Sequence, residues 1–379
     1  MILLLVLFFI FFPVLSIPIV IFLFLKTNQY NKIYILMISV TLGGVALYFI
    51  PPTNYDLYQH FLKMDLLIRM DFFEAVTFSP LIVENLWFYL VALSGNYNLL
   101  AVSAVIITYY FSLLTIFGIG RYCNVDKKWI LFLFFLFLAW FQLILPMSGV
   151  RFSTAISLTA YGVYSIYLKR KIGYYFIVIA ALIHIGVVYI VAIFMLVKLF
   201  RYKIFLLSGL IIVGSILIEN ISQILSLIPV SYVQLLVQRI FIYQELTITN
   251  FFDEFLYYLM LLLNLILLLI LAFKKPSFVK LYGKEAYAFY MIFIITNLSF
   301  YYIPTVVSRY TYFLFIFFPI LILPFFNALQ KYLRILIILL FINLIGLGLY
   351  IQYIQLNPLE FEVTLLEYIF KGFWGFSKI

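Results

Sequence analysis

Apolar runs of membrane-spanning length alternate with short polar connections along nearly the whole chain. A helix crossing a hydrocarbon layer about 30 Å thick needs about 20 apolar residues at about 1.5 Å of rise each. The runs predict spans at residues 2–25, 33–51, 98–120, 129–146, 152–168, 204–218, 255–273, 286–303, 310–329 and 335–352. The first run has no basic stretch before it and no small-residue cleavage site, so it is expected to stay as a span. The predicted fold class is all-α: a polytopic transmembrane bundle of about 10–12 spans, forming a single integral membrane domain over residues 1–379.

Three segments break the alternation. Residues 52–97 are polar enough for an outer loop, but Pro80 to Ser94 is apolar apart from Glu84 and Asn85 and predicts an interfacial helix. Residues 219–254 predict an outer amphipathic segment, with Gln234, Gln238 and Arg239 among leucines and valines. Tyr174 to Val197 has basic residues at both ends, yet 24 residues cannot cross twice. Either two broken or re-entrant half-helices meet near His184-Ile185-Gly186, the preferred reading, or one basic cluster lies outside.

Composition fixes the environment and charge the orientation. Of the 379 residues, 67% are hydrophobic and 10% charged, more apolar surface than a water-soluble core of this size requires. The net charge of +10 does not point to nucleic acid, because the basic residues gather in alternate short loops. Lys26 with Lys32, Arg121 with Lys127 and Lys128, Lys169-Arg170-Lys171, Lys198 with Arg201 and Lys203, Lys274-Lys275 with Lys280 and Lys284, and Lys331 with Arg334 are therefore placed inside. The acidic connections around Asp56 to Glu74 and Glu219 to Glu254, and the tail with Glu360, Glu362 and Glu367, are placed outside. Cys123 is the one cysteine, which excludes an intrachain disulfide and a thiolate metal cluster. No metal site is expected, since the two histidines show no ligand spacing.

Arginines on the outer side are the informative charges, since orientation depletes that side of them. Arg151 follows Pro146-Met147-Ser148-Gly149-Val150 and opens a helix whose next turns carry Ser153, Thr154, Ser157 and Thr159, predicting hydroxyls at the outer mouth of the bundle. Arg309 holds the matching place after Pro304, and Arg239 sits in the amphipathic segment. Guanidinium groups present paired donors matched to phosphate oxygens, so these three are candidate diphosphate ligands. Arg69 is expected to snorkel to lipid headgroups or to pair with Asp65 or Asp71. In the segment from Pro51 to His60, a helix would place Asp56 and His60 on one face, and Tyr55, Tyr58, Gln59 and His60 combine rings and polar groups suited to sugars. Asp56 and His184 are candidate proton acceptors.

The outer Pro51-Pro52-Thr53-Asn54-Tyr55-Asp56-Leu57-Tyr58, the block Ser148-Gly149-Val150-Arg151-Phe152-Ser153-Thr154-Ala155 with its Lys-Arg-Lys turn, Ala180-Ala181-Leu182-Ile183-His184 and the late Ser308-Arg309-Tyr310 resemble, in order, the EpsG family of Wzy-like polysaccharide polymerases. The family usually shows glutamine where Phe152 stands. The resemblance implies a GT-C-like membrane glycosyltransferase in the bacterial plasma membrane, without cofactor or metal. It would join undecaprenyl-diphosphate-linked oligosaccharides at the outer face, beside membrane lipids, with chain-length regulator and flippase proteins as candidate partners. An oligosaccharide ligase or other lipid-linked-sugar transferase faces the same diphosphate chemistry. A flippase or other transporter would be expected to show duplicated halves, and none is apparent. A membrane O-acyltransferase would want an acidic or asparagine partner near His184, and its sequence neighbours offer none.

Overall fold

The computed structural model describes residues 2–200, 203, 206, 208–209, 213, 228, 230–234, 238, 251–326 and 331–371. These form an all-α membrane protein in which three helices are long and apolar enough to cross a membrane: Asn98–Tyr122, Glu254–Phe273 and Ile338–Leu356. The chain folds as two compact units, one of Met1–His184 with Ile335–Ile379 and one of Ile185–Arg334.

In the first unit, the expected opening span is two helices, α1 (Ile2–Phe11) and α2 (Pro13–Lys26). The cause is Pro13, whose ring disfavours helical geometry in the residue before it, and Phe12 accordingly leaves the helix at φ −135°, ψ 69°. After α3 (Asn31–Ala46) comes a short strand, β1 (Phe49–Ile50), and then α4 (Asp56–Leu67), α5 (Phe72–Thr77) and α6 (Ile82–Leu93) fill the predicted outer loop. The long α7 (Asn98–Tyr122) packs against α3 and α10 (Val150–Tyr167). Between α7 and α10, the predicted span 129–146 stops early: α8 (Lys127–Trp140) is followed by a separate turn, α9 (Ile144–Ser148). The Phe141 carbonyl freed at that break accepts a hydrogen bond from the Tyr109 hydroxyl at 2.9 Å, which satisfies it inside the helix packing.

Helix α10 packs closely on α11 (Ile172–Ile183) because small residues face each other there. A Cβ on Gly162 would lie 2.8 Å from the Gly173 carbonyl oxygen, leaving no room for a side chain. The hydroxyls expected at the outer mouth are instead spent inside this packing. Ser153, Ser157 and Thr159 are buried and donate to carbonyls one turn back, and Ser112 donates to Ser157 across α7 and α10 at 3.0 Å. Thr154 is buried too, with its hydroxyl unpartnered among the described residues.

The two ends of this unit gather the segments that charge had separated. At one end Lys127 reaches the Phe24 and Thr27 carbonyls and the Asn31 side chain, joining two of the basic connections. At the other, Asn98 donates to the Leu47 carbonyl at 2.8 Å. The acidic tail arrives there as well: β2 (Glu360–Phe361) pairs antiparallel with β1, and α17 (Leu365–Lys371) sets the Tyr368 hydroxyl on the Thr41 carbonyl.

The second unit begins just after the expected interruption. His184 caps α11 in an extended conformation, φ −148°, ψ 122°, and α12 starts afresh (Val187–Leu199). Each half is too short to cross about 30 Å alone. The remaining helices are α13 (Phe251–Phe273), α14 (Lys275–Ser299), bent at Gly283 with φ 87°, and α15 (Pro304–Phe326); α16 (Lys331–Leu356) leads back to the first unit. A buried polar knot joins three of them. The Asn264 amide donates to Thr311 at 2.7 Å, and the Asn297 amide donates to the Asn264 oxygen at 3.1 Å. Such interhelical bonds hold apolar helices together where lipid removes the hydrophobic drive between them.

Candidate functional site

The chemistry of the first unit centres on a carboxylate inside α6. Glu84 is fully buried, and a lone ionised carboxyl there would cost several kcal/mol, on the order of its desolvation penalty. Two cations offset it. Lys63, from the middle of α4, places its ammonium 2.7 Å from Glu84 Oε1, and Arg151, in the first turn of α10, places Nη1 3.2 Å from the same oxygen. Both cationic side chains are 20% exposed, so they reach the surface above the carboxylate. Two positive groups around one negative leave the cluster with an excess charge of +1.

The neighbours of the cluster are fixed by their own hydrogen bonds. Asn85 accepts from Lys63 at 2.9 Å and from Ser79 at 3.1 Å, while its amide donates to the Val76 and Ser79 carbonyls. The Lys63 ammonium also lies over the Phe88 ring, 5.3 Å from its centroid. Burial lowers the proton affinity of Lys63 below its usual value, and the Glu84 charge opposes that shift.

Among the described residues, Arg151 spends one of its five N–H donors and Lys63 two of its three. Glu84 Oε2, buried, has no hydrogen-bond partner among the described residues.

Of the residues singled out in the sequence, His60 shares a neighbour with this group. His60 is buried with its ring 5.1 Å from that of Phe88, the ring that also underlies Lys63. His184 is buried with its ring 5.4 Å from that of Phe152, the residue after Arg151. The aromatic residue in place of the usual glutamine thus forms a wall beside this histidine. Asp56 begins α4 but is exposed, so the register puts it on the same side as His60 without the same burial. Gln59 is exposed and reaches the Thr53 carbonyl at 3.4 Å; Tyr55 is half-buried against Phe49, and Tyr58 is half-buried. Asp65 accepts from the Tyr97 hydroxyl at 2.6 Å rather than pairing with Arg69, and this bond raises the tyrosine's pKa. Asp71 caps α5 through the Glu74 amide.

Arg309 belongs to the second unit, half-buried in the first turns of α15. Its neighbour Tyr310 donates to the Gly186 carbonyl at 2.6 Å, and the Tyr189 and Tyr310 rings lie 4.3 Å apart. Arg239 lies outside the described residues, as does most of the expected amphipathic segment.

Lys63 and Glu84 are the residues that sequence reasoning left out of the site. The available signal was Glu84 itself, since a carboxylate in an apolar helix has to find a cation.

A family model described as the EpsG family matches residues 71–370, which contain Glu84, Arg151, His184 and Arg309. No curated protein and no solved structure matches the chain.

Proposed function

The chain belongs to the EpsG family, and on that premise we propose that it is a Wzy-type glycosyltransferase polymerising lipid-linked oligosaccharide units at the outer face of a bacterial plasma membrane, on a GT-C-like helical scaffold. The observation that carries this reading is the cationic excess around the buried Glu84. The donor is a glycan on undecaprenyl diphosphate and the acceptor a hydroxyl at the non-reducing end of another lipid-linked unit. The anomeric carbon to oxygen bond breaks, the diphosphate leaves with the electron pair, and the acceptor oxygen forms the new bond as its proton passes to a base.

Charge develops on the diphosphate as this bond breaks, and preorganised cations outside bulk water stabilise it most. Arg151 and Arg309 take that role, with Arg239 as a third ligand. His184 is favoured over Asp56 as the proton acceptor, because it is buried with its ring against Phe152, the residue after Arg151, whereas Asp56 is exposed at the start of α4. Tyr55, Tyr58, Gln59 and His60 are assigned to the sugar. Membrane lipids surround the site, and flippase and chain-length regulator proteins are its proposed partners.

Deleting the gene and sizing the surface glycan tests the reading. A polymerase deletion leaves single capped units; loss of all surface glycan would indicate a flippase, and polymer retained on its carrier a ligase. Arg151→Ala and Arg309→Ala, expressed at normal level, should each abolish long chains, and full-length polymer from both would sink the assignment.

A further inference from the structure

We propose that Glu84 is the resident anion of the phosphate site: it holds Lys63 and Arg151 in place in the empty enzyme and yields part of their charge to an incoming diphosphate. The inference rests on the reading of Arg151 given above and adds to it a second cation and a competitor. Three observations carry it. Lys63 and Arg151 converge on the same carboxylate oxygen, although they come from different helices. The carboxylate is fully buried while both cations are a fifth exposed, so an anion meets the cations first. Both cations keep unspent N–H donors among the described residues.

A carboxylate seated this way does two opposed things. It removes the cost of keeping two like charges close together, so the site is ready before the ligand arrives. It also repels that ligand, because phosphate oxygens must come near a group of their own sign. The balance fits an enzyme that must release a diphosphate carrier after every transfer.

Full-length protein in phosphatidylcholine nanodiscs, titrated calorimetrically with inorganic pyrophosphate, tests the proposal. Lys63→Gln and Arg151→Gln are each expected to weaken binding about tenfold or more. Glu84→Gln, which keeps the side-chain shape and one acceptor oxygen, is expected to tighten it about tenfold, as a like charge a few ångströms away is removed. Glu84→Asp, which keeps the charge, should stay near the wild-type affinity. Weaker binding in Glu84→Gln overturns the resident-anion role, as does an unchanged affinity in Lys63→Gln. If Glu84→Gln does not accumulate, the two cation variants decide, and an effect in only one of them counts against the proposal. Repeating the titration in phosphatidylglycerol nanodiscs separates diphosphate from lipid headgroup: loss of pyrophosphate binding there would mark a headgroup contact and overturn the proposal. Because the readout is binding, these results stand apart from the glycan phenotype, and either reading can fail alone.

Discussion

Arg151 and Glu84 stand 67 positions apart in sequence and 3.2 Å apart in space, joined at an oxygen that also receives Lys63. Removing the carboxylate altogether would leave two partly buried cations facing each other. Glu84→Ala is expected to cost about 3–5 kcal/mol, the range for stranding one side of a buried ion pair. Thermal unfolding in detergent reads the loss. Adding Arg151→Leu to the same chain should recover part of it, because one of the stranded charges is then gone. Additive losses would mean that the two side chains do not interact.

Lys63 gives the site a pH dependence with a fixed sign. Its folded-state proton affinity lies below the usual 10.5, chiefly because of burial, and Glu84 holds it up. Between the folded value and 10.5 the unfolded chain therefore binds more protons, so this group's contribution to stability rises with pH across that window. Binding moves the other way, since the neutral amine no longer attracts phosphate. Pyrophosphate affinity is expected to fall as pH climbs through the folded value, and to fall at lower pH in Glu84→Gln, where the supporting charge is absent. A midpoint unmoved by that substitution would contradict the coupling.

How far the sequence reaches can be judged from these residues. The break at His184 was legible as the preferred of two readings, because basic residues at both ends of a 24-residue apolar run favour an interrupted helix over a single crossing. The helix starting at Asp56 entered only as a condition, under which Asp56 and His60 share a face, inside a segment read as an outer loop. The Glu84 cluster was not legible, because its cations come from 21 and 67 positions away and periodicity carries no information about which helices meet. Arg151 illustrates the difference: its place at a helix start follows from the chain, but its carboxylate partner follows only from the packing of α6 and α10. The hydroxyls of α10 were misplaced for a related reason. A helix rich in serine, threonine and glycine looks polar in sequence, yet those groups bond back to their own backbone and let α7 and α11 come close.

The close approach of α10 to α11 has a measurable consequence. A Cβ on Gly162 would stand 2.8 Å from both the Gly173 carbonyl oxygen and Ile177 Cγ1. Gly162→Val must push the helices apart, at a cost of about 1–3 kcal/mol for overpacking. The displacement would carry His184 away from Phe152 at the far end of the pair. Lower thermal stability together with shortened glycan chains is the expected outcome. A variant with wild-type stability would show that the contact is looser than described.

The tail is a clasp whose strength can be measured. Tyr368 is buried, T-shaped on Tyr48, and donates to the Thr41 carbonyl, while β2 pairs with β1 just before α4. Tyr368→Phe keeps the ring and loses one hydrogen bond, an expected loss of about 1 kcal/mol. Ending the chain after Leu356 removes the strand partner as well. Limited proteolysis should then cut within residues 51–55 faster than in the intact protein, and equal rates would show that the tail does not restrain that connection.

The polar knot of the second unit makes the last prediction. Asn264, Asn297 and Thr311 are all fully buried, and Thr311 lies two residues beyond Arg309 on α15. The knot therefore sets how α15 is held against α13 and α14. Replacing Asn264 by leucine deletes the donor to Thr311 and the acceptor for Asn297, leaving the Asn297 amide to the Val307 carbonyl at 3.4 Å and Thr311. Interhelical bonds of this kind are worth about 0.6 kcal/mol each on average, so Asn264→Leu should destabilise by about 1–2 kcal/mol. If the knot positions Arg309, Asn264→Leu will shorten the glycan at unchanged protein level, and a serine at position 311 will rescue neither property because Asn264 is the group lost. Full-length polymer from Asn264→Leu would confine the knot to holding the helices and free Arg309 from depending on it.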